Sequence, residues 1–205
     1  MKIVNVEQGS DEWLDYRKGK ISGTMLTQMY SSRGTKKIGF YELIAERLAV
    51  PRDDEDRMSR GLRLEEEALE LFTKKTKKKI VRDGIWVHDK YPDIIISPDA
   101  AVPTKKKGHY EEAVEVKCLS SARHLQAVIE DKVPSEFEAQ MMQYFIVNTN
   151  LQNLYFVFYD PSVVSVPLHI IKVTRKELGD LPGKFLEFQL QQLEEVSEII
   201  EKLAF

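Results

Sequence analysis

The chain has 205 residues, 42% of them apolar and 31% charged, and 33 acidic against 30 basic side chains give a net charge of −3. That length suits one domain with a substantial core, and the negative balance argues against a protein that coats nucleic acid through global positive charge. A single cysteine, Cys118, excludes an internal disulfide and any Cys-rich zinc or iron–sulfur site. No apolar run suits a signal peptide or a membrane span, so a reducing cytoplasm is the expected compartment.

The spacing of Phe40, Leu43, Ile44 and Leu48 predicts a helix that Pro51 ends. A charged loop, "PRDDEDRMSR", follows. "GLRLEEEALELFTKKTKKK" is a second helix, acidic early and lysine-rich late, as the helix dipole favours. "IVRDGIWVHD" reads as a strand with a turn. "DIIISPDAAV" reads as a short strand broken at Ser97-Pro98. The polar turn "TKKKGHY" leads into the strand "EEAVEVKC". Together these predict two or three adjacent antiparallel strands.

"SARHLQAVIE" and "PSEFEAQMMQYFIVNT" have helical patterns. "NLYFVFYDP" and "PLHIIKV" are strands, with a turn at Asp160-Pro161. From Pro182 onward Leu186, Leu190, Leu193, Val196, Ile200 and Leu203 recur at three- and four-residue steps, the mark of a long helix. The order predicts a single domain over residues 1–205 of the α/β class, α+β in the mixed sense. Its central mixed sheet would be flanked by helices.

Three polar groups stand where the pattern wants apolar ones. Glu115 and Lys117 share one face of the strand "AVEVKC", because residues two apart in a strand point the same way. Asp99 ends the "DIIIS" stretch, and the connection through residues 103 to 110 could bring it beside Glu115. Glu65 shares a helical stripe with Ala68, Leu69 and Phe72, while Glu66, Glu67 and Glu70 can face solvent. Gln140 lies on a similar stripe with Phe137, Met141, Tyr144 and Val147. Carboxylates brought together repel, and a divalent cation relieves that repulsion. Magnesium takes hard oxygen ligands of this kind, usually with waters and a substrate phosphate. A Glu-x-Lys pair taken alone is an exposed amphipathic face with a weak attraction, and Ser-Pro-Asp alone is a common turn. The combination points to metal-assisted phosphodiester hydrolysis, with Lys117 beside the phosphate.

These residues carry a resemblance. "VEQGSDEWLDYRKGKISGT", "GLRLEEEALELF", "SPDA", "VEVKC", "EAQMMQYFIV" and "FYDP" resemble the YqaJ-type, or lambda-exonuclease-type, viral recombination nucleases, which belong to the PD-(D/E)xK superfamily. The resemblance covers nearly the whole chain and implies a restriction-endonuclease-like core. It implies Asp99, Glu115 and the Val116 carbonyl as ligands of magnesium, with manganese as an alternative ion. Glu65 would stand near a second metal position, Lys117 would be the catalytic lysine, and Gln140 would orient groups at the site. Arg17, Ser22, Thr24 and Ser97 match positions that hold a 5′-phosphate. Thr24 replaces the serine seen at that position in relatives, keeping the hydroxyl. Arg33, Lys36 and Lys37 are loosely placed as DNA-backbone contacts, because the loop from Tyr30 to Gly39 differs in length. Met58 falls where relatives present an apolar wedge to the terminal base pair.

The function so implied is a 5′→3′ exonuclease on double-stranded DNA ends, releasing mononucleotides and leaving 3′ single-stranded tails for recombination. The resemblance also implies a ring-shaped homotrimer, a phage single-strand annealing protein as partner, and a phage or prophage origin in a bacterial host. Two alternatives stay open: a related endonuclease, and a catalytically silent module that binds DNA ends in a recombination complex.

Overall fold

A computed structural model describes residues 11–12, 36–48, 57–82, 84–106 and 108–203. Arg17, Ser22, Thr24 and Arg33 lie outside the described residues. The helices are α1 (Ile38–Leu48), α2 (Arg57–Thr76), α3 (Ser121–Glu130), α4 (Glu138–Val147), α5 (Arg175–Leu178) and α6 (Leu181–Leu203). The strands are β1 (Trp86–Val87), β2 (Ile95–Ile96), β3 (Ala100–Pro103), β4 (Tyr110–Lys117), β5 (Asn153–Tyr159) and β6 (Leu168–Thr174). The chain divides into two compact units. One takes in Met1–Glu66, Cys118–Lys132 and Phe158–His169; the other takes in Glu67–Lys117, Val133–Val157 and Ile170–Phe205.

The second unit is built on a four-stranded sheet of order β3-β4-β5-β6. β3 runs antiparallel to β4, with Ala100 opposite Val114 and Val102 opposite Glu112. The Gln152 N–H, just before β5, donates to the Glu111 carbonyl near the start of β4, so these two strands run parallel. The Arg175 N–H, just past β6, returns to the Gln152 carbonyl, so β6 runs antiparallel to β5. The sheet is therefore mixed, as the order of elements predicts. β5 is buried at every position after its first, which explains why "LYFVFY" shows no polar alternation.

Helices flank this sheet. Ala68, Leu69 and Phe72 of α2 are buried, and the Phe72 ring lies 5.4 Å from that of Tyr155 on β5. α4 packs against α6, where Gln189 Nε2 donates to Gln143 Oε1 at 2.8 Å. Arg175 holds the end of α4: its guanidinium donates to the carbonyls of Phe145 (2.9 Å), Asn148 (2.8 Å) and Leu151 (2.7 Å). A cation at a helix C-terminus also opposes the dipole there.

The predicted run of adjacent antiparallel strands divides in two. β1 and β2 form their own two-stranded ribbon, Trp86 opposite Ile96 and Val87 opposite Ile95, while β3 and β4 join the main sheet. Pro98 explains the division, since it has no N–H to continue a ladder.

In the first unit α1 packs on α3, and Tyr41 Oη donates to Glu130 at 2.5 Å. Ser120 caps α3 by accepting from the Arg123 N–H. Buried Asp160 accepts from Ser121 Oγ at 2.6 Å and from the Ser162 N–H at 3.1 Å, which fixes the turn predicted at Asp160-Pro161. Among the described residues no helix is long and apolar enough to cross a membrane.

Candidate active site

The site grows from the end of β4. Ala113, Val114, Glu115 and Val116 are all buried, and Glu115 is only 3% exposed. A carboxylate at that depth must be paired and hydrogen-bonded. Glu115 Oε1 accepts from Lys117 Nζ at 2.6 Å and from Gln140 Nε2 at 2.6 Å. Glu115 Oε2 accepts from the hydroxyl of Tyr144. Lys117 Nζ also donates to Gln140 Oε1 at 2.8 Å. Glutamate, lysine and glutamine thus close a three-membered ring of hydrogen bonds, in which each end of the amide has one compatible partner. The Lys117 ammonium further lies 4.7 Å from the centre of the Phe137 ring, a cation–π distance.

Local structure explains this convergence. Glu115 and Lys117 are two apart on a strand and so share a face. Gln140 and Tyr144 are four apart on α4 and share a helix face. That helix face meets that strand face.

Asp99 arrives from the neighbouring strand. It stands one residue before β3, next to the Ala100–Val114 pair, and its Oδ2 accepts from the Val116 N–H at 2.6 Å. Both carboxylates bear on one phenol. The Tyr144 hydroxyl is pushed far above the ordinary tyrosine range, first by burial, then by the charge and hydrogen bond of Glu115, then by the charge of Asp99. Tyr144 therefore keeps its proton and acts as a donor, never as a base.

The donor chemistry fits a hard divalent cation. Asp99, Glu115 and the Val116 carbonyl offer oxygen ligands, and Lys117 places an ammonium on Glu115. Among the described residues no group of three or more His, Cys, Asp or Glu side chains could hold an ion by itself. Waters and a substrate phosphate would have to complete the shell, which is the habit of magnesium.

The structure brings together Asp99, Glu115, Lys117 and Gln140. Glu65 belongs to the other compact unit, where it is half-buried on α2 next to buried Leu64. Ser97 is exposed just past β2, and Met58 falls in the first turn of α2. Lys36 and Lys37 are exposed at the start of α1, with Lys36 Nζ 4.5 Å from the centre of the Phe40 ring. Tyr144 is the contributor that the sequence reading leaves in the core stripe. Its spacing from Gln140 was the available signal, because a residue four positions on must reach the same place.

Comparison with protein families matches residues 12–152 to the YqaJ-like viral recombinase domain. The chain belongs to the YqaJ-like viral recombinase family. No curated protein matches. Among solved structures, the YqaJ-like chain is similar to the alkaline exonuclease LHK-Exo from Laribacter hongkongensis. That likeness has a TM-score of 0.55 and 22% identity, over 95% of this chain and 100% of the other. A crystal structure of LHK-Exo in complex with dAMP gives the same values, TM-score 0.55, 22% identity, and 95% and 100% coverage. At that identity the likeness establishes a shared fold.

Proposed function

We propose that this YqaJ-like protein is a magnesium-dependent hydrolase of DNA, a 5′→3′ exonuclease acting on double-stranded ends. The observation that carries the reading is Asp99 bonded to the Val116 N–H beside Glu115, with Lys117 hydrogen-bonded to Glu115. Family membership supports a role in viral recombination. The likeness in fold to an alkaline exonuclease crystallised with dAMP supports a deoxynucleotide product.

Asp99, Glu115 and the Val116 carbonyl would hold the ion, with manganese as the alternative to magnesium. When bound, such an ion polarises the phosphate and lowers the pKa of an attacking water. Lys117 would place its ammonium against the phosphate and offset the charge that builds there. Gln140 holds Lys117 and Glu115 in register, and Tyr144 steadies the other oxygen of Glu115. Glu65 is proposed as a contributor near a second ion. Arg17, Ser22, Thr24 and Ser97 are proposed to hold the 5′-phosphate, and Arg33, Lys36, Lys37 and Met58 to meet the DNA end. Residues 1–205 would act as one nuclease domain in the cytoplasm of a bacterial host. The resemblance further supports a homotrimeric ring and a phage annealing protein as partner.

Linear duplex carrying a 5′-phosphate, incubated with and without magnesium, tests the reading. Wild-type protein with magnesium should release mononucleotides, and chelation or Lys117→Ala should stop release. Tight binding of ends with no release under any ion would instead identify a silent end-binding module, and internal cuts in circular duplex an endonuclease.

A further inference from the structure

The second unit contains a cavity of about 330 Å³ that takes no part in the carboxylate site. Trp86 and Tyr110 line it, their rings stacked with centroids 5.3 Å apart and planes 7° from parallel. Asn148, Thr149 and Asn150, in the turn after α4, line it from another side, and Asp89 and His109 complete the polar part. The turn is held in place: Asn148 Nδ2 donates to the Tyr110 carbonyl at 2.9 Å, and the Asn150 N–H donates to Asn148 Oδ1 at 3.0 Å. The indole N–H of Trp86 is buried with no hydrogen-bond partner. A buried donor left unmade is costly, and it fixes the indole as a wall of the cavity rather than as a surface side chain.

The chemistry of the lining selects the ligand. A flat aromatic wall with amide and hydroxyl groups suits a planar molecule with several hydrogen-bonding edges. Among the described lining residues there is no lysine or arginine, and the lining's histidine, His109, stands with the Asp89 carboxylate, so the cavity is not built around a fixed positive charge. Lys90, Lys105 and Lys106, all exposed, follow or precede lining residues closely in the chain. An aromatic wall with amide and hydroxyl groups is a usual arrangement for an unpaired nucleobase, the backbone staying outside.

The cavity also stands in a definite relation to the carboxylates. The edge of the Trp86 ring meets Tyr144, centroids 6.4 Å apart, and Tyr144 in turn donates to Glu115. Along β4, Tyr110 and Glu115 are five residues, or roughly 16 Å, apart. We propose that this cavity is a nucleobase pocket that takes an unpaired base of single-stranded DNA near the site of cleavage. The proposal rests on the reading that the chain works on DNA.

The test is binding without cleavage. Fluorescence anisotropy in the presence of chelator compares a short labelled oligothymidylate with a fully abasic strand of the same length and charge. Wild-type protein should prefer the base-bearing strand by roughly 10-fold, the scale of one stacked base. Thr149→Leu, at an exposed turn position, should intrude on the cavity and remove the preference while leaving the abasic affinity unchanged. Trp86→Phe keeps a ring but shortens the aromatic wall, and should cut the preference roughly 3-fold. Equal wild-type affinity for the two strands, or a preference untouched by both substitutions, would overturn the pocket. Because the assay needs no cleavage, it is independent of the nuclease reading: an active exonuclease without base preference defeats the pocket alone, and a base-preferring protein that never cleaves defeats the nuclease alone.

Discussion

Of the three glutamates on strand β4, Glu112 and Glu115 lie on opposite faces, and each of these two is held by a lysine, an amide and a tyrosine. Glu112 meets Lys78 Nζ at 2.7 Å, Asn153 Nδ2 at 3.0 Å and the Tyr155 hydroxyl at 3.3 Å. Glu115 meets Lys117, Gln140 and Tyr144. Partner types alone therefore do not make a catalytic site. The decisive difference is Asp99, whose Oδ2 accepts from the Val116 N–H and so brings a second carboxylate to the Glu115 end of β4. One carboxylate with one ammonium is a structural ion pair; two carboxylates with one ammonium have a use for a divalent cation.

Substitution at the two glutamates should separate the faces most sharply. Glu115→Gln or Asp99→Asn should lower exonuclease activity by roughly 1,000-fold, near the upper limit for a single electrostatic group. Glu112→Gln should leave activity within about 3-fold and instead cost about 1 kcal/mol of stability, as expected for a disturbed, partly buried network. Turnover and urea denaturation on the same preparations decide the point. Equal activity losses at the two positions would erase the distinction.

The lysines should differ in the same sense by a smaller margin. Lys117→Ala should reduce turnover by roughly 100-fold or more with little change in DNA binding. Lys78→Ala should leave turnover unchanged and lower stability by about 1 kcal/mol or less, since its partner is partly exposed. Next come the tyrosines. Tyr144→Phe keeps the ring and removes the donor to Glu115, so metal affinity or activity should fall by roughly 10-fold, as for other groups that orient a ligand. Tyr155→Phe should leave both unchanged.

The smallest expected effect is on pH dependence. Tyr144, Tyr155 and Lys78 all have their pKa values raised, the tyrosines first by burial and Lys78 first by its hydrogen bond to Glu112. A group raised on folding gives its full stabilisation below its unfolded value, and that is lost as pH climbs toward the folded one. The unfolded values are 10.0 for tyrosine and 10.5 for lysine, so stability should hold up to about pH 10 and decline above it. Urea midpoints across that range should fall less steeply in Tyr144→Phe than in Tyr155→Phe, because Tyr144 is the more deeply buried and more strongly shifted.

Period and chemistry explain what could be read from the sequence. The shared face of Glu115 and Lys117 follows from the two-residue strand repeat, and the two residues are bonded at 2.6 Å. The approach of Asp99 follows from the turn between β3 and β4. The long helices follow from apolar spacing and from Pro51. Harder to read was the separation of the β1–β2 ribbon from the main sheet, because Pro98 marks a break without saying where the two pieces go. Tyr144 was missed because a tyrosine on an apolar stripe looks like core; its hydroxyl shows its use only when Glu115 is known to lie across from it. The parallel pairing of β4 with β5 was also beyond pattern reading, since it joins segments separated by α3 and α4. Glu112 shows the converse difficulty, a glutamate in "YEEAVEVK" with the same kinds of partner but no second carboxylate.

The sharing of one ion by Asp99 and Glu115 is tested most directly by calorimetric titration of manganese or magnesium into wild type, Asp99→Asn, Glu115→Gln and the double variant. Either single substitution should remove the binding heat of a specific ion, and the second should add nothing, as expected for groups acting as one unit. An ion that binds with wild-type affinity to either single variant would contradict it.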